Sequence, residues 1–198
     1  GHSGTGSNTA VAEAVEFAAE AKVDIIGMSL GSESPDQRLH AAIKEAYAAG
    51  VIVVCAAGND GGAVNYPAAF QETIAVGAVD SAGNACPFSC RGKEIAVAAP
   101  GQDITSTWLD SGYATISGTS MAAPFVVGTL ALYISAAKLK GQDIDHAAVI
   151  KALSQTAKDR GPAGKDDVYG WGLVNPGGLL GLSVPGGVTI FIPGARIV

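Results

Sequence analysis

The sequence predicts an α/β sandwich, with helices covering a mainly parallel sheet. Two observations carry this. Helix-like and strand-like segments alternate with short links, the pattern of parallel strands joined by helical crossovers. The strand-like runs are also apolar on both faces, as a sheet covered on both sides requires. With 198 residues, 48% of them hydrophobic, the chain can bury one sizeable core. Its 27 glycines imply tight turns and close packing of elements.

The elements follow in order. "NTAVAEAVEFAAEAK" (8–22) predicts a helix, because Val11, Ala14, Val15 and Ala18 recur at helical spacing; Asn8 or Thr9 can cap it. "VDIIGMSL" (23–30) predicts a buried strand. "SPDQRLHAAIKEAYAAG" predicts a second helix, with Pro35 near its first turn and Gly50 stopping it. "VIVVCAA" is β-branched and predicts a second strand. "TIAVGAV" (73–79) predicts a third, and "EIAVAAP" a shorter fourth. "DITSTW" and "GYATIS" read as a hairpin around Asp110, Ser111 and Gly112. Met121 to Ala137 reads as a long apolar helix. "DIDHAAVIKALSQTA" reads as another, capped by Asp143 or Asp145. Residues 1–178 are expected to form one domain. Residues 179–198, punctuated by Gly and Pro around one apolar β-prone run, are expected to be a tail or an added hairpin.

Composition excludes some functions. Charged residues make up 15% and the net charge is −6, with no basic stripe to neutralise phosphates, so nucleic-acid binding is not expected. No run of about 18 apolar residues stands out, so no membrane partner is expected. Cys55, Cys86 and Cys90 have neither metal-ligand spacing nor the even count of a disulfide framework. Cys55 reads as a buried small hydrophobe. Cys86 and Cys90 flank "PFS" and are expected to be unpaired.

The stretch "SGTSMAAP" (117–124) carries the first candidate for chemistry. Gly118 permits a sharp approach, and a helix starts at or just after Thr119. A serine there feels the positive end of the helix dipole and unpaired N–H groups. Ser120 is thus either a nucleophile or an ordinary helix cap. "CAAGND" (55–60) lies at the carboxyl end of a buried strand, where α/β sheets bind ligands. Asn59 offers an amide donor there, of the kind acyl transfer needs to stabilise an oxyanion. The alternative is a turn asparagine beside a glycine.

Taken together, "GTSMAAP" (118–124), "AAGND" (56–60) and "DIIGMSLG" (24–31) resemble the subtilisin family of serine proteases in kind, order and spacing. "YP" (66–67), "IAVGAVD" (74–80), "VAAPG" (97–101) and "YGWGLVN" (169–175) fit the same register. The resemblance runs from about Gly4 to about Asn175. It implies a three-layer sandwich, incomplete at its N-terminal side, and peptide-bond hydrolysis through an acyl-enzyme. Ser120 would be the nucleophile. Asn59 would be the oxyanion donor, helped by the Ser120 N–H. Gly4, Thr5 and Gly6 would form one edge that pairs with an extended polypeptide substrate, and Ser29, Leu30 and Gly31 the other. Ala56, Ala57, Gly58 and Asn65 would line the S1 pocket, with Asp60 at its rim. Asn65 stands where the family usually has glycine, which implies a shallower or more polar pocket. The acidic rim would favour basic P1 residues. Phe125 departs from the histidine usual there, at a position outside the triad.

In the family the triad runs Asp, His, Ser along the chain. The first two motifs precede the segment that matches Gly4 to Gly6, and they are not among these 198 residues. His2 precedes a substrate-binding strand in this register. His40 and His146 sit on helices, where surface roles are expected. The expectation is therefore an endopeptidase completed by an N-terminal chain that supplies Asp and His. The alternative is a catalytically inactive module of the same fold that binds peptides or a subunit. An unrelated esterase fits less well, because "GTSMA" lacks the second glycine of the Gly-x-Ser-x-Gly elbow. No cofactor is required for the chemistry. Calcium is implied as a possible structural ion, at carbonyls around Ala68, Phe70 and Thr73.

Overall fold

Four parallel strands organise the chain, whose computed structural model describes residues 6–182. They are β1 (Ile25–Met28), β2 (Ile52–Ala56), β3 (Thr73–Val79) and β4 (Ile95–Pro100), hydrogen-bonded side by side in that order. The register runs Ile25 to Ile52, Val53 to Thr73 and Val76 to Val97, with an irregularity at Ala75/Val76. The helices α1 (Asn8–Glu20) and α2 (Gln37–Ala48) cover one face. The other face is covered by α3 (Thr119–Lys138), α4 (His146–Thr156) and the short α5 (Pro176–Leu179). The result is the expected three-layer α/β sandwich.

Strand alternation sorts the core into two halves. In β2, Ile52, Val54 and Ala56 face α3, where they meet Ile74, Val76, Val126 and Leu130. Val53 and Cys55 face the other way, toward Leu39, Ile43 and Ala46 of α2. All five residues of β2 are buried, and so are all seven of β3. Two further strands, β5 (Ile104–Thr107) and β6 (Tyr113–Ile116), pair antiparallel around a 3-10 turn at Leu109–Ser111. They form the hairpin read from the sequence.

Several boundaries differ in detail. The cap of α1 is Ser7, whose Oγ accepts from Ala10 N–H at 3.2 Å, rather than Asn8 or Thr9. Of the two aspartates before α4, Asp145 makes the cap, accepting from Ala148 N–H at 2.7 Å. β1 is shorter than the apolar run, because Val23 and Leu30 lie exposed beyond its ends. The three thiols are buried and unpaired. Helix α3 qualifies by length and composition to cross a membrane, with a mean hydropathy of 1.6, contrary to the sequence expectation. Its place is nonetheless inside the sandwich, packed on all four parallel strands. The tail or hairpin expected at 179–198 lies outside the described residues from 183 onward.

Among the described residues β1 has a neighbour on one side only. Beside it runs a groove of about 530 Å³ lined by Asp24, Ile25, Val127, Ile134, Lys138 and Leu139. Leu139 of its lining is 88% exposed, so this flank is both apolar and open.

Both helical histidines are packed rather than lying free at the surface. His40 Nε2 is 3.0 Å from Glu72 Oε2, and its ring stacks on Phe70 at 3.8 Å. His146 meets Tyr47 edge-on at 5.0 Å, and its Nε2 is buried without a partner. Burial lowers the His146 pKa from its ordinary 6.5, against the opposing charges of Asp145 and Glu72. Below about pH 6.5 the unfolded chain therefore takes up a proton at this site that the fold resists. Stability is expected to fall as pH drops from about 6.5 toward the folded pKa. Denaturant midpoints measured across that window should lose this slope in His146→Phe.

Candidate active site

The site is assembled where the carboxyl ends of β1 and β2 meet the first turn of α3. After β2 the chain turns at Gly58, whose φ is +116°. A Cβ there would lie 2.6 Å from Asn65 Nδ2 and 2.7 Å from Cys90 Sγ, so only glycine fits. Two backbone bonds fix the turn. Asn65 N–H donates to the Ala57 carbonyl at 2.8 Å, and Cys90 N–H to the Gly58 carbonyl at 3.1 Å. Asn59 is thereby carried outward.

Thr119 ties this turn to α3. Its N–H donates to Asn59 Oδ1 at 2.8 Å, and its hydroxyl reaches the same oxygen at 2.9 Å. Gly58 N–H donates to Thr119 Oγ1 at 3.1 Å. With Oδ1 doubly engaged, the Asn59 Nδ2 group is the free donor. Gly118 is the N-cap and donates to the Gly101 carbonyl at 2.7 Å. Ser120 is the second residue of the helix, where backbone N–H groups lack intrahelical acceptors. Thr119 was not singled out in the sequence. Its role depends on a partner 60 residues away, and only its buried place beside Ser120 hints at it.

Ser120 and Asn59 line one cleft of about 140 Å³, together with Leu30, Gly31, Ala56, Gly58 and Asn65. Ser29 stands next to it and donates from Oγ to the Ser120 carbonyl at 2.8 Å. Ala57 is placed differently from the expectation. Strand alternation turns its methyl into the core on the α2 side, and it does not line the cleft. Asp60, expected at the rim, is exposed and does not itself line the cleft, but is joined to Asn65, which does. Gly6 is exposed, and Gly4 and Thr5 fall outside the described residues.

Asp60 is held from several sides. Its Oδ1 accepts from Gly62 N–H at 2.8 Å and from the Cys90 thiol at 2.9 Å. Asn65 Nδ2 reaches its Oδ2 at 3.4 Å. The Cys90 thiol, then the Gly62 N–H, hold the Asp60 carboxyl below the usual carboxylate range. Burial, then the bond to Asp60, pushes the Cys90 thiol up. The carboxylate thus stays charged and the thiol stays protonated. Among the described residues no histidine lines the cleft.

A serine at a helix N-terminus shares a cleft with an asparagine just beyond the end of a parallel strand, in an α/β protein. Residues 1–172 match the model of the Subtilase family, Peptidase_S8, and the chain belongs to that family of serine proteases. It is 40% identical to Subtilisin DY of Bacillus licheniformis over 178 residues, covering 87% of this chain and 62% of that protein. It is 46% identical to the major intracellular serine protease of Bacillus subtilis (strain 168) over 138 residues, 67% of this chain and 43% of the relative. The solved structure of the prenylagaramide maturation protease PagA superposes with a TM-score of 0.79 at 30% identity, covering 89% of this chain and 68% of that one. The chain therefore spans less than two thirds of the length of these two curated relatives.

Near the carbonyls that the resemblance implies for calcium, around Ala68, Phe70 and Thr73, the Thr73 hydroxyl lies among neighbouring backbone oxygens. Thr73 Oγ1 lies 3.1 Å from the Pro67 and Ala68 carbonyls and 2.9 Å from that of Phe70. The Thr73 hydroxyl thus lies against two of the implied carbonyls, Ala68 and Phe70, where a cation would compete with it. Thr73→Val is expected to leave the carbonyls without this donor and to cost about 1–3 kcal/mol. Millimolar calcium should raise the melting temperature of that variant and leave the parent unchanged.

Proposed function

We propose that Ser120 is the acyl-forming nucleophile of a serine endopeptidase whose histidine and aspartate come from a segment outside these 198 residues. The observation that carries the reading is the shared cleft of Ser120 and Asn59, with Thr119 holding the Asn59 amide donor free. In the reaction Ser120 Oγ would bond to the scissile carbonyl carbon while a base takes its proton. The carbonyl oxygen would become an oxyanion facing Asn59 Nδ2 and the Ser120 N–H. Collapse would break the C–N bond, and the base would return the proton to the leaving amine. Losing the asparagine donor costs about 100- to 1000-fold in turnover, a figure known from subtilisin itself.

The substrate is a polypeptide, held in extended form along Ser29, Leu30 and Gly31 on one side and Gly4, Thr5 and Gly6 on the other. Asn65 narrows the S1 pocket. Its NH2 group turns to Asp60, which leaves its carbonyl end for a P1 side chain that donates a hydrogen bond. The Asp60 charge behind it favours basic P1 residues. Large apolar P1 groups fit poorly, and Asn65→Gly should improve binding of peptides ending in Phe by about tenfold.

The partner segment has a place to dock. The open side of β1 and the apolar groove beside α3 offer strand-edge hydrogen bonds and unsatisfied apolar surface together. The 198-residue chain on its own is therefore expected to associate rather than to stay a monodisperse monomer. It is also expected not to hydrolyse peptides, since a serine without a base is a poor nucleophile near neutral pH. In subtilisin, loss of the histidine costs about a million-fold.

A second reading is a non-catalytic module that binds extended peptides or a subunit. It is favoured by the open edge of β1 and the groove beside it, which could receive another chain without any chemistry. Intact mass of the natively purified protein, before and after denaturation, separates the two. A second polypeptide released only on denaturation, with hydrolysis that disappears in Ser120→Ala, supports the peptidase. A chain found alone, whose peptide binding survives Ser120→Ala, supports the module.

A further inference from the structure

Pro124 stands four residues after Ser120, inside α3. In an α-helix the carbonyl of one residue accepts from the N–H four positions later. Proline has no N–H, so the Ser120 carbonyl has no helical partner. The missing donor is supplied from another element: Ser29 Oγ donates to this carbonyl at 2.8 Å across 91 residues of sequence. Ser29 follows directly after β1. The close approach of β1 to α3 that brings Ser29 within reach depends on Gly27, where a Cβ would lie 3.0 Å from Val127 Cγ2.

We infer that Ser29 is a positioning residue for Ser120: its hydroxyl replaces the N–H that Pro124 lacks and fixes the peptide unit that follows the nucleophile. This rests on the reading of Ser120 as the nucleophile. The first turn of α3 is one rung short, and without Ser29 its second residue would hold its carbonyl by nothing but water. Holding that carbonyl restrains ψ of Ser120, and through it the angle at which the Cα–Cβ bond is presented to the cleft shared with Asn59. The Ser29 hydroxyl proton is taken by this bond, so toward substrate its side chain can only accept.

Ser120→Cys gives a readout that needs no histidine. The three native thiols are buried, and each is held protonated. Iodoacetamide will therefore report the introduced thiol, whose reactivity is raised by a helix N-terminus. The pH–rate profile of alkylation is measured on the full 198-residue chain. Adding Ser29→Ala should slow alkylation at neutral pH by about three- to tenfold and move the profile to higher pH. Ser29→Thr, which keeps the hydroxyl, should leave the profile in place. Pro124→Ala combined with Ser29→Ala should restore it, because alanine returns the missing N–H. A general structural role for Ser29 would not be rescued from a different element in this way. A profile unmoved by Ser29→Ala, or not restored by Pro124→Ala, overturns the inference and leaves the nucleophile reading standing. If Ser29→Ala unfolds the chain, the native thiols label as well; Ser29→Thr then decides, and a slowed profile there overturns the inference. An introduced thiol that titrates like an ordinary cysteine with Ser29 intact overturns the nucleophile reading, and this inference with it.

Discussion

The contact between the first turn of α3 and the end of β2 is the constraint on which the cleft depends. Thr119, fully buried, makes that contact with its backbone N–H and its hydroxyl together. Magnitudes separate two tasks. Each large apolar side chain that α3 buries on the sheet, such as Val126 or Leu130, is worth about 1.5–3 kcal/mol. Each hydrogen bond nets only about 0.5–1.5 kcal/mol. Apolar packing therefore holds the helix against the sheet. The polar contacts, which are directional, decide how its N-terminus is aimed.

Two hydroxyls in this fold reach backbone carbonyls beside the ends of strands. Ser29 Oγ donates to the Ser120 carbonyl, and Thr73 Oγ1 lies among the Pro67, Ala68 and Phe70 carbonyls. At Ser120 a side chain remote in sequence reaches the carbonyl that Pro124 cannot pair; at Thr73 a local hydroxyl adds to backbone bonds that the Pro67 and Phe70 carbonyls already accept. Asp60 shows the reverse arrangement. A charged acceptor is fixed by surrounding donors, and through Asn65 it shapes the cleft without lining it.

The parts of the fold that depend on local periodicity were legible in the sequence. The predicted third strand matches β3 residue for residue, because its apolar run is bounded by clear turn signals. That Gly118, Ser120 and Asn59 lie at element ends was legible in the sequence; their grouping as one site came from the resemblance. What depended on distant partners was not. His40 and His146 read as surface residues because Glu72, Phe70 and Tyr47, which receive them, are remote in sequence. Ala57 was assigned to the pocket from a motif, while the alternation of β2 sends its methyl to the opposite face. The orphan carbonyl of Ser120 could be deduced from Pro124 alone. The identity of its donor could not, since no local rule connects residue 29 to residue 120.

The three buried thiols have a consequence of their own. Cys55 lies within β2, Cys86 follows the turn after β3, and Cys90 sits against the Gly58 turn. Burial raises the pKa of each, so none reacts until its surroundings open. Their rates of modification are then clocks for local opening at three depths of one molecule: the central sheet, its flank and the wall of the cleft. The order in which they react would give the order in which this architecture comes apart.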